Sequence, residues 1–300
     1  MSALKCCSFC LILLCLLCGA SAEAYTIAVA GNGLGTKWEP GGGAASFFNP
    51  ALPPGTPGGA TWSLMPDGIQ ISLGDLAPYH NSNFFSTGVA GVTGLPDVDG
   101  VPYEIWAMND ALNKWAGVSG FTNLGQVADG SPNGSPGCDD AYNGCVDEGD
   151  IRIGAYAFNP VSGTVITAHT FQPGTTALDP PYGSIGGDLH LNNDQNSIYP
   201  NQLTWVDDPF DLYANDTIDF YTVVLHELGH ALGLGHSEDD TSVMAMYPDR
   251  GYALRDLTPD DIAGIQAIYG PEQVVPEPGS LVLLSLGLGG LALAAWRKRK

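Results

Sequence analysis

The chain has 300 residues, of which 32 are acidic and 10 are basic, and its formal net charge at pH 7 is −22. This length suits one domain of ordinary size with additional segments at its ends. The excess of acidic residues argues against a nucleic-acid-binding protein, because such proteins present a basic face.

Residues 1–22 have the pattern of a secretory signal peptide. A lysine precedes an apolar run from Phe9 to Leu17, and the small residues Ala20-Ser-Ala22 follow as the expected cleavage site. Five of the seven cysteines lie in this peptide, which leaves Cys138 and Cys145. A lone cysteine pair that closes a short loop in an exported protein predicts a disulfide.

The central part of the chain divides into two stretches. Residues 23–60 form a Gly- and Pro-rich N-terminal segment; from residue 31 on they lack a hydrophobic period, which predicts irregular structure. Residues 61–271 read as one folded domain. Alternation predicts strands near residues 61–64, 69–73 and 150–154, and apolar spacing predicts a helix from Tyr103 to Trp115.

Residues 226–236 read His-Glu-Leu-Gly-His-Ala-Leu-Gly-Leu-Gly-His. His226 and His230 are four apart, so they share one face of a helix for which Asp216 or Thr217 is the expected N-cap. A glycine, Gly233, ends the helix and turns the chain so that His236 becomes a third ligand. Three protein ligands leave one coordination position open, which is typical of a catalytic zinc site. Glu227 is the candidate catalytic base beside the first ligand.

This motif, followed by Ser237, resembles the matrixin branch of the metzincin metalloproteases. The stretch from Ser242 to Pro248 is similar to the family's Met-turn. Within it, Met244 has the family's spacing from the third histidine and Met246 has the local Met-Tyr-Pro pattern, so both are candidates. Residues 257–270 are similar to the family's last helix. The resemblance implies an α+β metzincin fold: a twisted, mixed, five-stranded sheet with three main helices, and a zinc cleft between an upper and a lower part.

Two upstream stretches, 167–174 and 186–190, resemble the family's edge strand and the segment after it. In the family the edge strand binds the substrate backbone by strand addition. His169 and His190 match two ligands of a structural zinc, but the His-Gly-Asp stretch that supplies the other two is missing. Two histidines hydrogen-bonded beneath a loop are therefore the preferred alternative to a second metal site. Asp188 matches a calcium ligand, which makes Ca²⁺ a candidate second cation.

The C-terminal residues 275–300 have three parts. Pro276, Glu277 and Pro278 precede an apolar run, Ser280–Trp296, which is barely long enough to span a membrane, and a basic end that the positive-inside rule keeps in the cytoplasm. This arrangement resembles the PEP-CTERM sorting signal of Gram-negative bacteria. It implies an exosortase-type partner and a transient anchor in the inner membrane, followed by release to the cell surface or the exterior. An ordinary membrane anchor is the alternative.

Together these features predict a secreted or surface-sorted monomer that uses Zn²⁺ to hydrolyse peptide bonds in protein or peptide substrates. Glu227 would take a proton from the zinc-activated water and pass it to the leaving nitrogen. The alternative is a catalytically silent surface or extracellular-matrix binding protein on the same scaffold, which the presence of Glu227 and all three histidines disfavours. A further alternative is that the chain cuts itself or another sorted surface protein.

Overall fold

The described part of the chain comes from a computed structural model. It comprises residues 25–27, 35–42, 46–47, 54–68, 70–71, 80–81, 95–130, 149–156, 167–173, 186–192, 204–207, 217–246 and 253–273. The predicted signal peptide, the Cys138–Cys145 disulfide and the C-terminal sorting segment all lie outside these residues. Within the described ranges, no helix combines the length and the apolarity needed to cross a membrane.

The described residues form eleven strands and three helices. Their bounds in chain order are β1 (Thr36–Lys37), β2 (Ser46–Phe47), β3 (Gly58–Leu64), β4 (Gln70–Ile71), β5 (His80–Asn81), α1 (Tyr103–Ala116), β6 (Phe121–Gln126), β7 (Ile151–Tyr156), β8 (Ala168–Thr170), β9 (Leu189–Asn192), β10 (Thr204–Val206), β11 (Thr217–Asp219), α2 (Phe220–Ala231) and α3 (Pro259–Tyr269).

Five strands form the main sheet, in the order β6-β3-β7-β9-β8. The pairs β3–β6, β3–β7 and β7–β9 are parallel, whereas β8 and β9 are antiparallel. The sheet is therefore mixed, and β8 is one of its two edge strands. This architecture confirms the predicted α+β class with a five-stranded mixed sheet and three helices.

The core lies between the sheet and the two helices α1 and α2. The inner face of α1 is buried through Ala107, Met108, Ala111, Leu112 and Trp115. The indole Nε1 of Trp115 donates a 3.0 Å hydrogen bond to the carbonyl of Leu225 in α2. This contact fixes α1 against the helix that carries the first two histidines of the motif.

The N-terminal part of the fold differs from the irregular segment that the sequence predicts. The side chains of Lys37 and Trp38 are buried. Trp38 donates from Nε1 to the carbonyl of Ala231 at 2.9 Å, and the Lys37 ammonium donates to the carbonyl and hydroxyl oxygens of Thr56. Strand β3 begins at Gly58, so the expected domain boundary after residue 60 falls inside a core strand. These long-range contacts leave no periodic signal in the sequence, which explains the difference.

Candidate metal centre and active site

The N-cap of α2 lies two or three residues later than the expected position 217 or 216, because residues 217–219 pair with β10 as a parallel strand. Asp219 is the N-cap, and its carboxylate accepts from the backbone N–H of Thr222 at 2.9 Å and from the Thr222 hydroxyl at 2.6 Å. Arg255, which precedes α3, forms an ion pair with the same carboxylate. Asp219 therefore joins the start of the histidine-bearing helix to the segment before α3.

The three histidines of the motif come together at one point. One ring nitrogen from each of His226, His230 and His236 lies within 4.8 Å of the other two, and the Nε2 atoms of His230 and His236 are 3.2 Å apart. At this distance one ring can donate to the other, or both nitrogens can direct lone pairs at a shared cation. The arrangement could hold a metal ion.

Two backbone carbonyls select the ring tautomer that binds a metal. The Nδ1 of His226 lies 2.7 Å from the carbonyl oxygen of Val243, and the Nδ1 of His230 lies 2.8 Å from that of Leu234. A carbonyl can only accept, so each Nδ1 carries the proton and each Nε2 keeps its lone pair for a metal. Burial lowers the pKa of His226 to about 4 and that of His230 to about 3, which keeps both rings neutral at pH values near neutrality.

The third ligand reaches the centre by a glycine turn. Gly233 has φ +102°, in the left-handed region that favours glycine. Residues 25–27 then hold the returning segment: the backbone N–H of Gly235 donates to the carbonyl of Thr26 at 2.9 Å, and the Thr26 hydroxyl donates to the carbonyl of His236 at 2.6 Å. The chain near its N-terminus thus helps to position His236.

The structure separates the two Met-turn candidates. Met244 is 2% exposed and Met246 is 53% exposed. The Met244 sulfur lies against Gly229 in α2, where an added Cβ would collide with it. The carbonyl of Met244 accepts from the backbone N–H of Ser237 at 2.7 Å. The geometry therefore favours Met244 over Met246 as the methionine beneath the histidines.

One buried carboxylate, Asp261, organises this turn. It accepts from the Ser242 hydroxyl at 2.5 Å and from the backbone N–H groups of Val243 and Met244 at 3.1 and 3.2 Å. It also completes a capping box with Thr258 at the start of α3. Since the carbonyl of Val243 orients His226, the carboxylate of Asp261 supports the metal centre through one peptide group.

Glu227 lies one residue after the first histidine and points into a dry environment. It is 7% exposed, and its Oε2 is fully buried without a well-formed hydrogen bond to any described residue. Burial raises the pKa of Glu227 to about 7, and the nearby hydroxyl of Thr170 in β8 acts in the opposite direction. A carboxylate with this pKa can exchange a proton at neutral pH.

The candidates for a second metal site are brought together only in part. His169 and His190 face each other across β8 and β9, with Nε2 of His169 2.9 Å from Nδ1 of His190. Burial lowers the pKa of both rings, that of His169 to about 4. Among the described residues, His226, His230 and His236 are the only group of three with the spacing of a metal site, so Asp188 does not complete such a group with the other two histidines.

Sequence reasoning did not identify three residues that the structure places around the site. Thr170, Asp261 and Arg255 act through contacts with residues 57, 18 and 36 positions away along the chain. Asp261 carried a partial signal, since its position in a capping box can be predicted from Thr258. The other two lie in short or irregular stretches, where nothing in the local pattern marks them.

Two family models match parts of this chain. Residues 149–270 match the matrixin family model, and residues 274–300 match the model of the PEP-CTERM protein-sorting motif. Metalloendoproteinase 2-MMP of Arabidopsis thaliana is 35% identical over 159 residues, which cover 49% of this chain and 37% of the relative. Matrix metalloproteinase-16 of Homo sapiens is 39% identical over 114 residues, which cover 37% of this chain and 15% of the relative. Interstitial collagenase of Oryctolagus cuniculus is 41% identical over 112 residues, which cover 37% of this chain and 19% of the relative.

The chain thus spans at most 37% of the length of these relatives. The matched region contains the three histidines, Glu227, Met244 and α3, so the similarity covers the site described above. The predicted resemblance is confirmed for these parts of the chain: residues 149–270 match the matrixin family, and residues 274–300 match the PEP-CTERM protein-sorting motif.

Proposed function

We propose that this protein is a zinc-dependent endopeptidase. The observation that carries the proposal is the convergence of three imidazoles, one of which directly precedes the buried carboxylate of Glu227 in the chain. Three imidazoles suit Zn²⁺ and leave one position for water or substrate. The two carbonyls that accept from Nδ1 of His226 and His230 are the outer contacts that orient ligands in such sites. When bound, zinc supplies Lewis-acid chemistry that activates water and polarises a carbonyl.

In this proposal Glu227 is the general base. Its carboxylate accepts a proton from the attacking water and delivers it to the leaving nitrogen of the scissile peptide bond. The low exposure of Glu227 keeps bulk water away from the transferred proton. A cation at the histidines would draw the pKa of Glu227 down from about 7, so that the base is ionised at neutral pH.

The edge strand β8 is the proposed substrate-binding strand. It pairs with β9 on one side only among the described strands, and it packs beside α2, which carries Glu227. A substrate in extended conformation can add to such an edge through main-chain hydrogen bonds. The proposed substrate class is therefore a protein or peptide whose backbone is extended at the cleaved bond.

We also propose where the protein acts. The sorting motif favours an exosortase-type partner and delivery to the surface of a Gram-negative cell. In this scheme the signal peptide is removed after Ala22, the C-terminal segment anchors the chain briefly, and Cys138 and Cys145 form a disulfide outside the cytoplasm. A calcium ion near Asp188 would be an additional stabilising cation. Mass spectrometry of the mature termini tests the processing; a mature chain that keeps residues 274–300 would contradict it.

Activity is tested with the purified protein on denatured casein, with a chelator and after zinc is returned. Hydrolysis should stop with chelator, recover with zinc, and fall at least about 100-fold in Glu227→Gln. The control is Glu238→Gln, which changes an exposed carboxylate close to the third histidine. Chelator-insensitive cleavage, or equal rates in the Glu227 variant, would overturn the proposal. Zinc binding without hydrolysis would instead favour the silent scaffold.

A further inference from the structure

Two buried polar atoms on facing elements lack well-formed partners. They are the hydroxyl Oγ1 of Thr170 in β8 and the carboxylate Oε2 of Glu227 in α2, and neither makes such a hydrogen bond with a described residue. Leaving a buried polar atom unpaired is costly, so native structures seldom contain two beside each other without a role. One atom is a donor and the other an acceptor, so each can satisfy the other.

The register of β8 puts the Thr170 side chain on the face of the sheet opposite to that of His169. In β8, the neighbouring His169 contacts His190 across the strand pair. Successive side chains of a strand point to opposite faces, so Thr170 points to the other face. Strand β8 packs against α2, the helix that carries Glu227, and Thr170 pairs with the buried core residue Leu189.

We propose that Thr170 is a positioning residue for the general base: its hydroxyl donates a hydrogen bond to Oε2 of Glu227 and holds the carboxylate in one orientation. The other oxygen, Oε1, is then left for the proton that Glu227 transfers.

The kinetic test replaces the hydroxyl while keeping the shape. Because Thr170 acts through Glu227, this test rests on the proposed function. Thr170→Val should lower kcat about 10- to 100-fold, as expected for a lost hydrogen bond to a charged group, and leave KM within about twofold. Thr170→Ser keeps a hydroxyl and should restore most of the rate. The matched control is Thr36→Val, which removes another buried hydroxyl that has no hydrogen-bond partner among the described residues.

A second test needs neither metal nor activity. In metal-free protein with chelator, urea unfolding of the wild type, Thr170→Val, Glu227→Ala and the double variant gives a double-mutant cycle. We expect the two substitutions to be coupled by about tenfold in the unfolding equilibrium constant. Additive effects, or a Thr170→Val enzyme with normal kcat, would overturn the positioning role. If Glu227→Gln itself stays active, the proposed function fails. The unfolding cycle then still tests whether the Thr170 hydroxyl is hydrogen-bonded to Glu227.

Discussion

The glycine turn that places His236 offers a sharp test of how the site is built. Gly233 has φ +102°, and a Cβ added there would lie 2.5 Å from the carbonyl oxygen of Thr36. That oxygen belongs to the backbone of β1, so it cannot move aside as a flexible side chain could. Gly125 in β6 has a similar φ of +92°, but a Cβ there would meet nothing within 4 Å. Alanine at the two positions thus separates backbone strain from collision.

Both substitutions carry the cost of a left-handed backbone, roughly 1–2 kcal/mol for a residue with a Cβ. Both also gain similarly from a less flexible unfolded chain. Only Gly233→Ala adds the collision with Thr36, which typical overpacking values put at about 1–3 kcal/mol. We therefore expect Gly233→Ala to lower the free energy of unfolding by about 2–5 kcal/mol, and by about 1–3 kcal/mol more than Gly125→Ala.

The assay is urea unfolding of the metal-free protein, followed by tryptophan fluorescence, with equal slopes required for comparison. Chelator is present throughout, so that a change in metal affinity does not enter the result. A second measurement, zinc affinity, should show weaker binding for Gly233→Ala alone, since the turn presents His236. Equal destabilisation of the two variants would refute the reasoning, because the contact with Thr36 would then carry no energy.

Four further predictions concern charge, capping and metal. Burial holds the pKa of His169 and His190 below the ordinary value near 6.5. The unfolded chain therefore binds more protons than the folded chain at acidic pH. The metal-free protein should lose stability as the pH falls from about 6.5 towards about 4, by roughly 1 kcal/mol per pH unit for each histidine. His190→Leu should flatten that dependence in urea unfolding, and an unchanged slope would contradict the assignment. Asp261→Ala should cost about 3–5 kcal/mol of unfolding free energy, because several buried donors lose their acceptor; a loss under about 1 kcal/mol would contradict this. Asp219→Ala should lower the free energy of unfolding by about 2–4 kcal/mol. Arg255→Met should lower it less, because both substitutions break the ion pair but only Asp219→Ala also removes the N-cap of α2. Zinc at 100 times its dissociation constant should stabilise the protein by about 3 kcal/mol in calorimetry, and no rise in melting temperature would count against a folded-state site.

Local geometry made the histidine triad predictable. The spacing of His226 and His230 follows from helix periodicity, and the turn at Gly233 needs only the conformational freedom of glycine. All of these residues lie within one short stretch of chain. The capping box of α3 was predictable for the same reason, since Thr258 and Asp261 are three residues apart.

The remaining features depend on partners far away in the sequence. The start of α2 at Phe220 is set by the pairing of β11 with β10, which a capping pattern alone does not reveal. The choice of Met244 over Met246 depends on which side chain packs against Gly229. The role of Thr170 arises only when β8 is laid beside α2. Sequence reasoning lacks the tertiary contact in each case.

The hydrogen bonds made by the N-terminal residues also bear on the order in which the protein folds. Trp38 and Ala231 are 193 positions apart, and the backbone N–H of Tyr25 bonds to Asp260, 235 positions away. Contacts at such separations require large loops to close before they contribute, and chains rich in them fold slowly. The turn that presents His236 is therefore secured only when nearly the whole domain has assembled. Metal binding is accordingly expected to follow the last stage of folding. A chain interrupted at either end would bind the ion poorly even with all three histidines in place.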